Sequence, residues 1–247
     1  MTMAPLPVRS AAIFRAAQER IKQYIVDHRL GPGAPLPTEF ELARTLGISR
    51  NSLREALKAL ETVGVLETRH GLGTFVGKAS LAPLVAGMAF NLVQSLSVDT
   101  RTLREMLELR EILESGLVER VIGVHTPEQL ARLEDLVARM AEAAGRGTLD
   151  PDVDRTFHDT LYEPLDNQVV TLLLHAFWDV QAAVQSQLPA APHLATTNAR
   201  WHRDILDAVR RGDAAGAVAA MREQFTGARE RIAAAPGARR DVAVADG

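Results

Sequence analysis

The sequence predicts a mainly α-helical protein in two parts: a small N-terminal domain that ends in a β-hairpin, and a larger C-terminal domain made only of helices. Three observations support this prediction. Aromatic residues make up only 4% of the 247 residues while Ala and Leu are abundant, which favours packed helices over a β-sandwich. Apolar residues recur at helical spacing through most of the chain. The clearest strand signal is one pair of short β-prone runs within 65–77.

The N-terminal domain is predicted to span residues 9–78 and to begin with two helices. Apolar residues at helical spacing predict the first helix over 11–29, and the Gly and Pro residues of 30–37 end it. Thr38 and Glu41 then form a T-x-x-E capping box, in which each side chain can bind a free backbone N–H group at the start of a helix. A second helix is therefore expected to begin at Thr38.

A tight turn, a third helix and a hairpin complete the predicted domain. The second helix ends near Gly47, and Ser49 can cap a third helix that runs to about Val63. Two short β-prone runs then flank the four-residue turn that starts at His70. This order of helix, helix, turn, helix and hairpin is that of a winged helix-turn-helix, a DNA-binding fold.

The third helix carries the residues that are expected to meet DNA. Its core stripe is apolar, whereas its other side concentrates hydrogen-bond donors in the first turn and a half, the end that a recognition helix inserts into the major groove. Arg can contact guanine and Asn can contact adenine through paired hydrogen bonds, and both can instead hold phosphate. The candidates on this helix and at the tip of the hairpin are Arg50, Asn51, Arg54, Lys58, His70 and Gly71.

The distribution of charge supports a nucleic-acid partner for the first domain only. Residues 1–78 hold 11 Lys and Arg against 7 Asp and Glu, whereas residues 79–247 hold 17 against 24. A basic domain suits nucleic acid, although an excess of this size could arise by chance and the donors could form an ordinary solvated face. The agreement of fold, polarity and hairpin favours DNA binding.

The composition disfavours several other classes of protein. The chain has no Cys, which excludes disulfides, thiolate metal sites and a cysteine nucleophile. The N-terminus lacks the apolar core of a signal peptide, and the most apolar run, residues 81–93, is too short to span a bilayer. We therefore expect a cytoplasmic protein without a membrane partner.

The C-terminal region is predicted to be an all-α antiparallel bundle of six or seven helices. Residues 79–99 form a linker and the first bundle helix, 100–234 form the main bundle, and 235–247 form a disordered tail. Thr126 and Asp150 each precede a Pro and are typical caps for a helix that starts with that Pro. The last three helices are expected at about 167–188, 193–210 and 213–234.

Five polar or charged residues lie on or beside the apolar stripes of these helices. Asp154 and His158 are four residues apart and share one helix face, and His202 lies beside the apolar stripe of its own helix. Arg110 and Glu114 interrupt the stripe of the first long bundle helix. Because buried charges need partners, these residues form either an Arg–Glu pair with two hydrogen-bonded core histidines, or a polar cavity that binds a metal or ligand.

The first domain resembles a known family over almost its whole length. The stretch 33–76, GAPLPTEFELARTLGISRNSLREALKALETVGVLETRHGLGTFV, is similar to the DNA-binding domain of the GntR family of bacterial transcription regulators. Many relatives carry an Arg that contacts DNA where this chain has Phe40, so the resemblance implies a changed operator sequence or affinity. The residues that it implies face DNA, on the third helix and in the wing, are Arg50, Asn51, Ser52, Arg54, His70 and Gly71.

The second domain resembles the FCD effector domain of the FadR subfamily over roughly residues 100–234. The resemblance rests on two stretches, DRTFHDTLYEPLDN and RWHRDILDAVRRGDAAGAVAAMREQF. Many members of this subfamily bind a divalent metal through one Asp and three His. Asp154, His158 and His202 correspond to three of these ligands, and Gln224 stands where the fourth would be.

Gln224 is a departure from the family pattern, because an amide binds metal only through its carbonyl oxygen. One interpretation is a site for zinc, nickel, manganese or a similar ion with three protein ligands plus water or an effector carboxylate; the other is a metal-free pocket. Family effectors are typically small organic acids, so the resemblance implies a carboxylate-bearing effector. The candidate effector-binding residues are Arg110, Glu114, His175 and Gln224, with Trp178 as a further residue of the cavity wall.

The resulting hypothesis is a ligand-responsive transcription regulator and not an enzyme. It binds a near-palindromic operator as a homodimer, and a small effector in the bundle changes its DNA affinity, with relief of repression as the family's usual outcome. Two alternatives are a regulator for which the metal ion itself is the signal and a metal-dependent enzyme with two His and one carboxylate. The enzyme is disfavoured, because such triads usually lie on β-scaffolds and the sequence has no HExxH, GxSxG or P-loop motif.

Overall fold

The chain folds as two units, Met1–Leu84 and Val85–Gly247, in a computed structural model that describes residues 8–189, 193–236 and 238. The mainly α-helical prediction is confirmed. The first unit contains α1 (Val8–Asp27), α2 (Glu39–Leu46), α3 (Arg50–Thr62), β1 (Leu66–Arg69) and β2 (Gly73–Val76). The helices that follow are α4 (Ala82–Ser95), α5 (Arg101–Arg120), α6 (Pro127–Gly145), α7 (Pro151–Tyr162), α8 (Gln168–Val184), α9 (Leu194–Arg211), α10 (Ala214–Gln224) and α11 (Thr226–Ala233).

Local signals around α2 act as the sequence predicts. The Thr38 hydroxyl accepts the N–H of Glu41 at 3.3 Å, and Glu41 Oε2 accepts the N–H of Thr38 at 3.1 Å, so the capping box is complete. Gly47 ends the helix at φ +62°, a left-handed conformation that Gly adopts without strain. This turn sets α3 against α2 and α1, whose side chains Ile21 and Leu42 lie in the core with Leu53 of α3.

The hairpin is a wing of two antiparallel strands with a third segment added to its edge. β1 and β2 pair from Leu66 opposite Val76 to Arg69 opposite Gly73. The loop before α2 also pairs with β2, through Gly33 N–H to the Val76 carbonyl and Leu36 N–H to the Thr74 carbonyl, both at 2.8 Å. The sequence indicated only a Gly- and Pro-rich break here, because a short edge segment has no periodicity of its own.

The second unit is a bundle whose core is shared by α5 to α10. Helix α9 packs against α6 and α10, α5 packs against α10, and α6 packs against α7. The predicted caps are confirmed: the Thr126 hydroxyl accepts the N–H of Gln129 at 3.2 Å, and the Asp150 carboxylate accepts N–H groups at the start of α7. Phe157, Ile205 and Leu206 are among the side chains that are completely buried at the centre.

The last predicted helix, 213–234, is two helices that meet at Phe225. The Phe225 N–H bonds to the carbonyl of Arg222, three residues back, which tightens the end of α10. Just beyond it, Gly227 packs so closely that a Cβ there would lie 2.7 Å from Leu194 and 3.0 Å from Trp201. The break lets α11 pack against α5, with Gly227 beside α9, while Phe225 stays buried, a tertiary requirement that helical periodicity does not reveal.

The helices from α4 onward fall inside the segments predicted for the bundle. Helix α4 lies within the predicted segment 79–99, and α5 to α11 lie within 100–234. The predicted disordered tail, 235–247, falls outside the described residues except for 235, 236 and 238. Among the residues that the structure describes, none of the helices combines the length and the apolar character needed to cross a membrane.

Candidate functional sites

A cationic face of α3 forms the candidate DNA-binding surface. Ser49 fixes the first turn, because its hydroxyl accepts the N–H of Ser52 at 3.1 Å. Apolar residues on the opposite side of the helix, such as Leu53 and Leu60, are buried in the core of the unit, so the polar side stays in solvent. The exposed predicted residues on this face are Arg50, Asn51, Arg54 and Lys58, and Ser52 is half-buried beside them.

Two of these cations have weak partners on the surface. Arg54 Nη2 lies 3.3 Å from Glu39 Oε2, and Lys58 Nζ lies 3.8 Å from Glu55 Oε1, with all four side chains exposed. Exposed ion pairs of this kind contribute about 0–1 kcal/mol. A phosphate or a base edge can therefore replace either carboxylate at little cost.

Phe40 lies beside this surface instead of in the core. Its side chain is 57% exposed, and the Arg50 guanidinium lies over its ring, 4.8 Å from the centroid. A cation over an exposed aromatic ring gains about 0.5–1 kcal/mol. Phe40 therefore orients Arg50, which the sequence analysis did not anticipate.

The tip of the wing carries the two remaining predicted residues. His70 and Gly71 lie in the turn beyond the last strand pair, and both are exposed. Gly71 has φ +73°, a left-handed conformation in which a larger residue would be strained. None of the described residues of the unit covers this tip, so among them it is open to a partner such as DNA.

The bundle contains a cavity of about 330 Å³ lined by residues of α5, α7, α8, α9, α10 and α11. A volume of this size suits a small metabolite. Both tryptophans of the chain lie in its wall, and the indole N–H of each is buried without a hydrogen-bond partner among the described residues. The polar and aromatic residues of the wall include Arg110, Asp154, Trp178, Gln181, Asn198, Trp201 and Gln224.

Arg110 forms the predicted buried pair with Glu114 and also reaches the cavity wall. Its Nε donates to Glu114 Oε1 at 2.6 Å, and its Nη1 donates to Gln181 Oε1 at 2.6 Å. Its Nη2 makes no hydrogen bond to the residues that the structure describes. The guanidinium also lies over the rings of Trp178 and Phe225, at 5.2 and 5.4 Å. Arg110 is thus held firmly while one donor group remains free for a ligand.

Glu114 lies behind Arg110 and is not part of the cavity wall. Its Oε2 lies 2.6 Å from His158 Nδ1 and accepts the Tyr162 hydroxyl at 3.2 Å. Burial works to raise the pKa of Glu114, but the nearby imidazole of His158 and the guanidinium of Arg110 outweigh it and lower the pKa to about 2. Burial and the neighbouring Glu114 anion raise the pKa of Tyr162 well above its usual value. Glu114 is therefore an anion that ties three side chains together.

Asp154, His158 and His202 meet beside the cavity and form the candidate metal cluster. One ligand atom from each lies within 4.8 Å of the others, and both imidazoles are completely buried. The His202 Nδ1–H donates to the Asn198 carbonyl at 2.8 Å, which leaves the Nε2 lone pair facing Asp154 Oδ1 at 3.1 Å. The Glu114 carboxylate, in a bent contact, keeps the proton of His158 on Nδ1, so its Nε2 also presents a lone pair.

This arrangement of lone pairs fits a bound cation. A neutral imidazole nitrogen and a carboxylate oxygen repel each other at 3.1 Å unless a proton or a metal ion lies between them, and His202 Nε2 is buried without a hydrogen bond. Burial works to raise the pKa of Asp154, but the imidazole of His202, followed by His158 and Arg110, holds it well below its usual range. Two imidazoles and one carboxylate are a donor set that suits a divalent transition metal.

Asn198 orients two members of the cluster and was missed by the sequence analysis. Its Nδ2 donates to Asp154 Oδ1 at 3.1 Å, while its backbone carbonyl holds His202. A signal was available, because Asn198 precedes His202 by one helical turn and shares its face. Gln224 does lie at the cluster, as the family resemblance implied, with its Nε2 3.1 Å from His158 Nε2.

His175, a predicted effector-binding residue, is not among the residues that line this cavity. Its Nε2 lies 2.9 Å from Asp159 Oδ1, and both side chains are partly exposed. Asp159 follows His158 directly on α7 and so points away from the buried cluster. Trp178, three residues after His175 on α8, does line the cavity.

Comparison with known proteins agrees with both halves of this description. Residues 14–76 match the gntR family of bacterial regulatory proteins, and residues 105–227 match the FCD domain. Over 215 residues, 87% of each chain, the protein is 30% identical to YcbG of Bacillus subtilis strain 168, an uncharacterized helix-turn-helix-type transcriptional regulator. It is also 30% identical to the putative L-lactate dehydrogenase operon regulatory protein of Escherichia coli K12, over 82% of this chain and 80% of that one.

A solved structure gives the same result for the fold. The GntR protein of Streptococcus agalactiae is 26% identical, with a TM-score of 0.61 over 88% of this chain and 99% of that chain. The fold and the sites thus define a DNA-binding regulator with a ligand-binding domain. The chain belongs to the GntR family and joins its winged helix to an FCD domain, the combination of the FadR subfamily. Its class is therefore a ligand-responsive transcription regulator and not an enzyme.

Proposed function

We propose that the protein is a homodimeric repressor that releases a near-palindromic operator when a small carboxylate-bearing effector enters the bundle. The observation that carries this proposal is the meeting, at one cavity of an FCD domain, of a metal-ligand cluster, a free donor of Arg110 and two unsatisfied indole N–H groups. An acidic ligand has oxygen atoms that can coordinate the metal and accept hydrogen bonds from Arg110 and the indoles. Because operator DNA is the partner, the protein acts in the cytoplasm.

The operator is bound by the exposed donors of α3 and by the wing. Arg50, Asn51 and Arg54 lie in the first turns of a capped helix, where base edges are within reach in related complexes. Ser52 and Lys58 suit phosphate, and His70 and Gly71 at the wing tip suit a neighbouring groove. The weak partners of Arg54 and Lys58 support this assignment, because they can be exchanged for DNA.

A divalent ion held by Asp154, His158 and His202 is part of the proposed site. Glu114 and Asn198 support this role by orienting the two imidazoles and the carboxylate. When bound, the ion supplies open coordination positions for oxygen atoms of the effector. The residues of the chain do the rest: they fix the tautomers of the two imidazoles, and the Asp154 carboxylate balances part of the charge of the ion.

Arg110 and the two tryptophans supply the proposed contacts to the effector. Arg110 Nη2 is a free cationic donor, which suits a carboxylate. A buried N–H group without a partner costs about 1–3 kcal/mol, so an effector with acceptor oxygens regains that free energy at Trp178 or Trp201. Glu114 acts indirectly in this scheme, by orienting Arg110, and His175 is not used.

The homodimer is supported by the symmetry of such operators and by an exposed apolar stripe on α5. Leu109 and Ile112, one turn apart, are 60% and 65% exposed. A second copy that covers this stripe would pair two winged helices for two half-sites. The effector changes DNA affinity only as far as it binds one arrangement of the dimer better than the other.

Metal content tests the site first. Tag-free protein purified without chelator is analysed by mass spectrometry beside the Asp154→Ala variant. We expect about one equivalent of one divalent metal in the wild type and a large loss in the variant. The operator is then selected from a random DNA library, and a panel of small organic acids is screened for release of that DNA. Failure of every acid, in the presence of the metal, would contradict the effector class.

A second candidate function is a regulator that responds to the metal alone, which the three converging ligands also support. The two candidates differ in one titration. Operator affinity is measured while Mn²⁺, Ni²⁺ or Zn²⁺ is added without any acid. A sensor of the ion loses or gains DNA affinity in this titration, whereas an acid-responsive regulator changes little until the acid is present.

A further inference from the structure

Gln224 is the member of the cluster whose hydrogen bonding is incomplete. Its Nε2 lies 3.1 Å from His158 Nε2, and its Oε1 is buried without a hydrogen-bond partner among the described residues. Because the Glu114 carboxylate keeps the proton of His158 on Nδ1, the other ring nitrogen accepts and the Gln224 amide donates. The amide thus covers a lone pair that a metal ion needs, while its own oxygen is left without a partner.

The position of Gln224 allows the amide to reverse. Gln224 is the last residue of α10 and lies in the cavity wall, so its side chain has the cavity on one side and the cluster on the other. Half a turn about the Cγ–Cδ bond exchanges Nε2 for Oε1 with no backbone movement, since the two ends of an amide are nearly equal in size. The reversed amide would present Oε1 to the cluster and give its N–H groups to the cavity.

We propose that Gln224 is a fourth metal ligand whose side-chain amide turns over when the ion binds. Without the ion, its N–H group donates a hydrogen bond to His158 Nε2; with the ion, its Oε1 binds the metal. This inference rests on the metal site of the proposed function and deepens it. It gives the buried oxygen the partner that it lacks. It also lowers the affinity for the ion, because the ion must displace a hydrogen bond from His158 before it can bind.

A consequence for metal preference follows from the donor set. With Gln224 the cluster offers two imidazole nitrogens, one carboxylate oxygen and one amide oxygen. Imidazole favours Ni²⁺ and Zn²⁺, whereas oxygen donors suit Mn²⁺. Compared with a cluster of three imidazoles, this site therefore loses more affinity for Ni²⁺ and Zn²⁺ than for Mn²⁺.

The test is a set of metal dissociation constants, measured by competition with a fluorescent chelator for Mn²⁺, Ni²⁺ and Zn²⁺. Gln224→Leu removes the oxygen and is expected to weaken all three ions by about tenfold or more, while Gln224→His strengthens Ni²⁺ and Zn²⁺ by a larger factor than Mn²⁺. Gln168→Leu is the matched control, since Gln168 is an exposed glutamine of the same unit, at the start of α8, and is not part of the cavity wall. It should change each constant by less than about twofold.

Unfolding curves establish that each variant is folded, and Gln224→Glu, which keeps an oxygen ligand, should bind at least as tightly as the wild type. Equal or tighter binding by Gln224→Leu would overturn the inference, because the amide would then only block the site, and the three-residue site would still stand. If the wild type and Gln224→Glu bind none of the ions but bind operator DNA that an acid releases, both the fourth ligand and the metal site fail. The acid-responsive regulator would survive that outcome.

Discussion

The winged unit and the bundle treat charge in opposite ways. Arg54 and Lys58 of the winged unit are exposed, and their carboxylate partners lie 3.3 and 3.8 Å away. Arg110 and Glu114 of the bundle are buried and 2.6 Å apart, with further bonds from neighbouring side chains. The first arrangement keeps cations free for a polyanion. The second fixes the direction of each donor before a ligand arrives.

The difference predicts what the removal of a charged side chain would change in each region: DNA binding in one and folding stability in the other. An exposed cation keeps its hydration, so its removal should change DNA binding and leave the fold alone. A buried anion such as Glu114 is stable only with its partners, so its removal leaves uncompensated charge inside the bundle. Variants of the two regions should therefore separate into effects on binding and effects on folding.

The largest effect is expected from Glu114→Gln. Loss of the buried anion leaves Arg110 without its counter-charge and should lower the free energy of unfolding of the bundle by about 3–5 kcal/mol. Urea unfolding followed by tryptophan fluorescence measures this, since both tryptophans lie in the bundle. Glu134→Gln, which breaks the exposed pair with Arg210, is the control and should cost less than about 1 kcal/mol. If Glu114→Gln lowers the free energy of unfolding no more than Glu134→Gln does, the buried ion pair matters no more for stability than an exposed one.

The pH dependence of the same free energy should report Glu114. Its pKa is about 2 in the fold and 4.5 in the unfolded chain, so its stabilisation is full above about pH 4.5 and disappears as the pH falls towards 2. This fall is worth on the order of 3 kcal/mol at most, and it should be much shallower in Glu114→Gln. Identical slopes for the two proteins would mean that Glu114 titrates alike in both states.

Arg54→Ala should weaken operator binding by about 1–3 kcal/mol while the unfolding curve stays unchanged. Fluorescence anisotropy with the selected operator, repeated at several salt concentrations, measures it. If the slope of the logarithm of the binding constant against the logarithm of the salt concentration falls by about one, Arg54 contacts a phosphate. Lys22→Ala, an exposed cation on α1, serves as the control. Unchanged affinity would remove Arg54 from the interface.

Asn198→Ala tests how the bundle positions its ligands. Without the amide that donates to Asp154, the affinity for a divalent metal should fall by about tenfold, with little change in unfolding. Competition with a chelator gives the affinity. Thr197→Ala alters the neighbouring residue, whose hydroxyl bonds only to the carbonyl of His193 in the described structure. If both variants bind metal alike, Asn198 does not orient the site.

The smallest effect is expected from Phe40→Arg. The new cation should strengthen operator binding by a few-fold, about 0.5–1 kcal/mol, and make it more dependent on salt by about one ion. Phe40→Leu removes the ring under Arg50 without adding charge and should weaken binding slightly. Weaker binding by the Arg variant would mean that the ring, through Arg50, contributes more than a new phosphate contact.

The sequence predicted the parts of each site that lie within one helix. Arg50 and Arg54 are proposed for DNA binding from their place in the first turns of α3, and Asp154 with His158 was predicted from a spacing of four residues. Asn198 could have been found by the same rule. Gln224 was found by family resemblance alone, because 66 residues separate it from His158.

Residue spacing and composition by themselves determined the helices, the caps at Thr38 and Thr126, the turn at Gly47 and the faces on which charged residues lie. These features depend on backbone geometry and on contacts within about four residues, which a sequence carries directly. Only the tertiary structure decided that Glu114 ties Arg110 to His158, that His175 turns to Asp159, and that a helix breaks at Phe225. Those outcomes depend on how helices pack across long separations in the chain, where small changes in crossing angle decide which side chains meet.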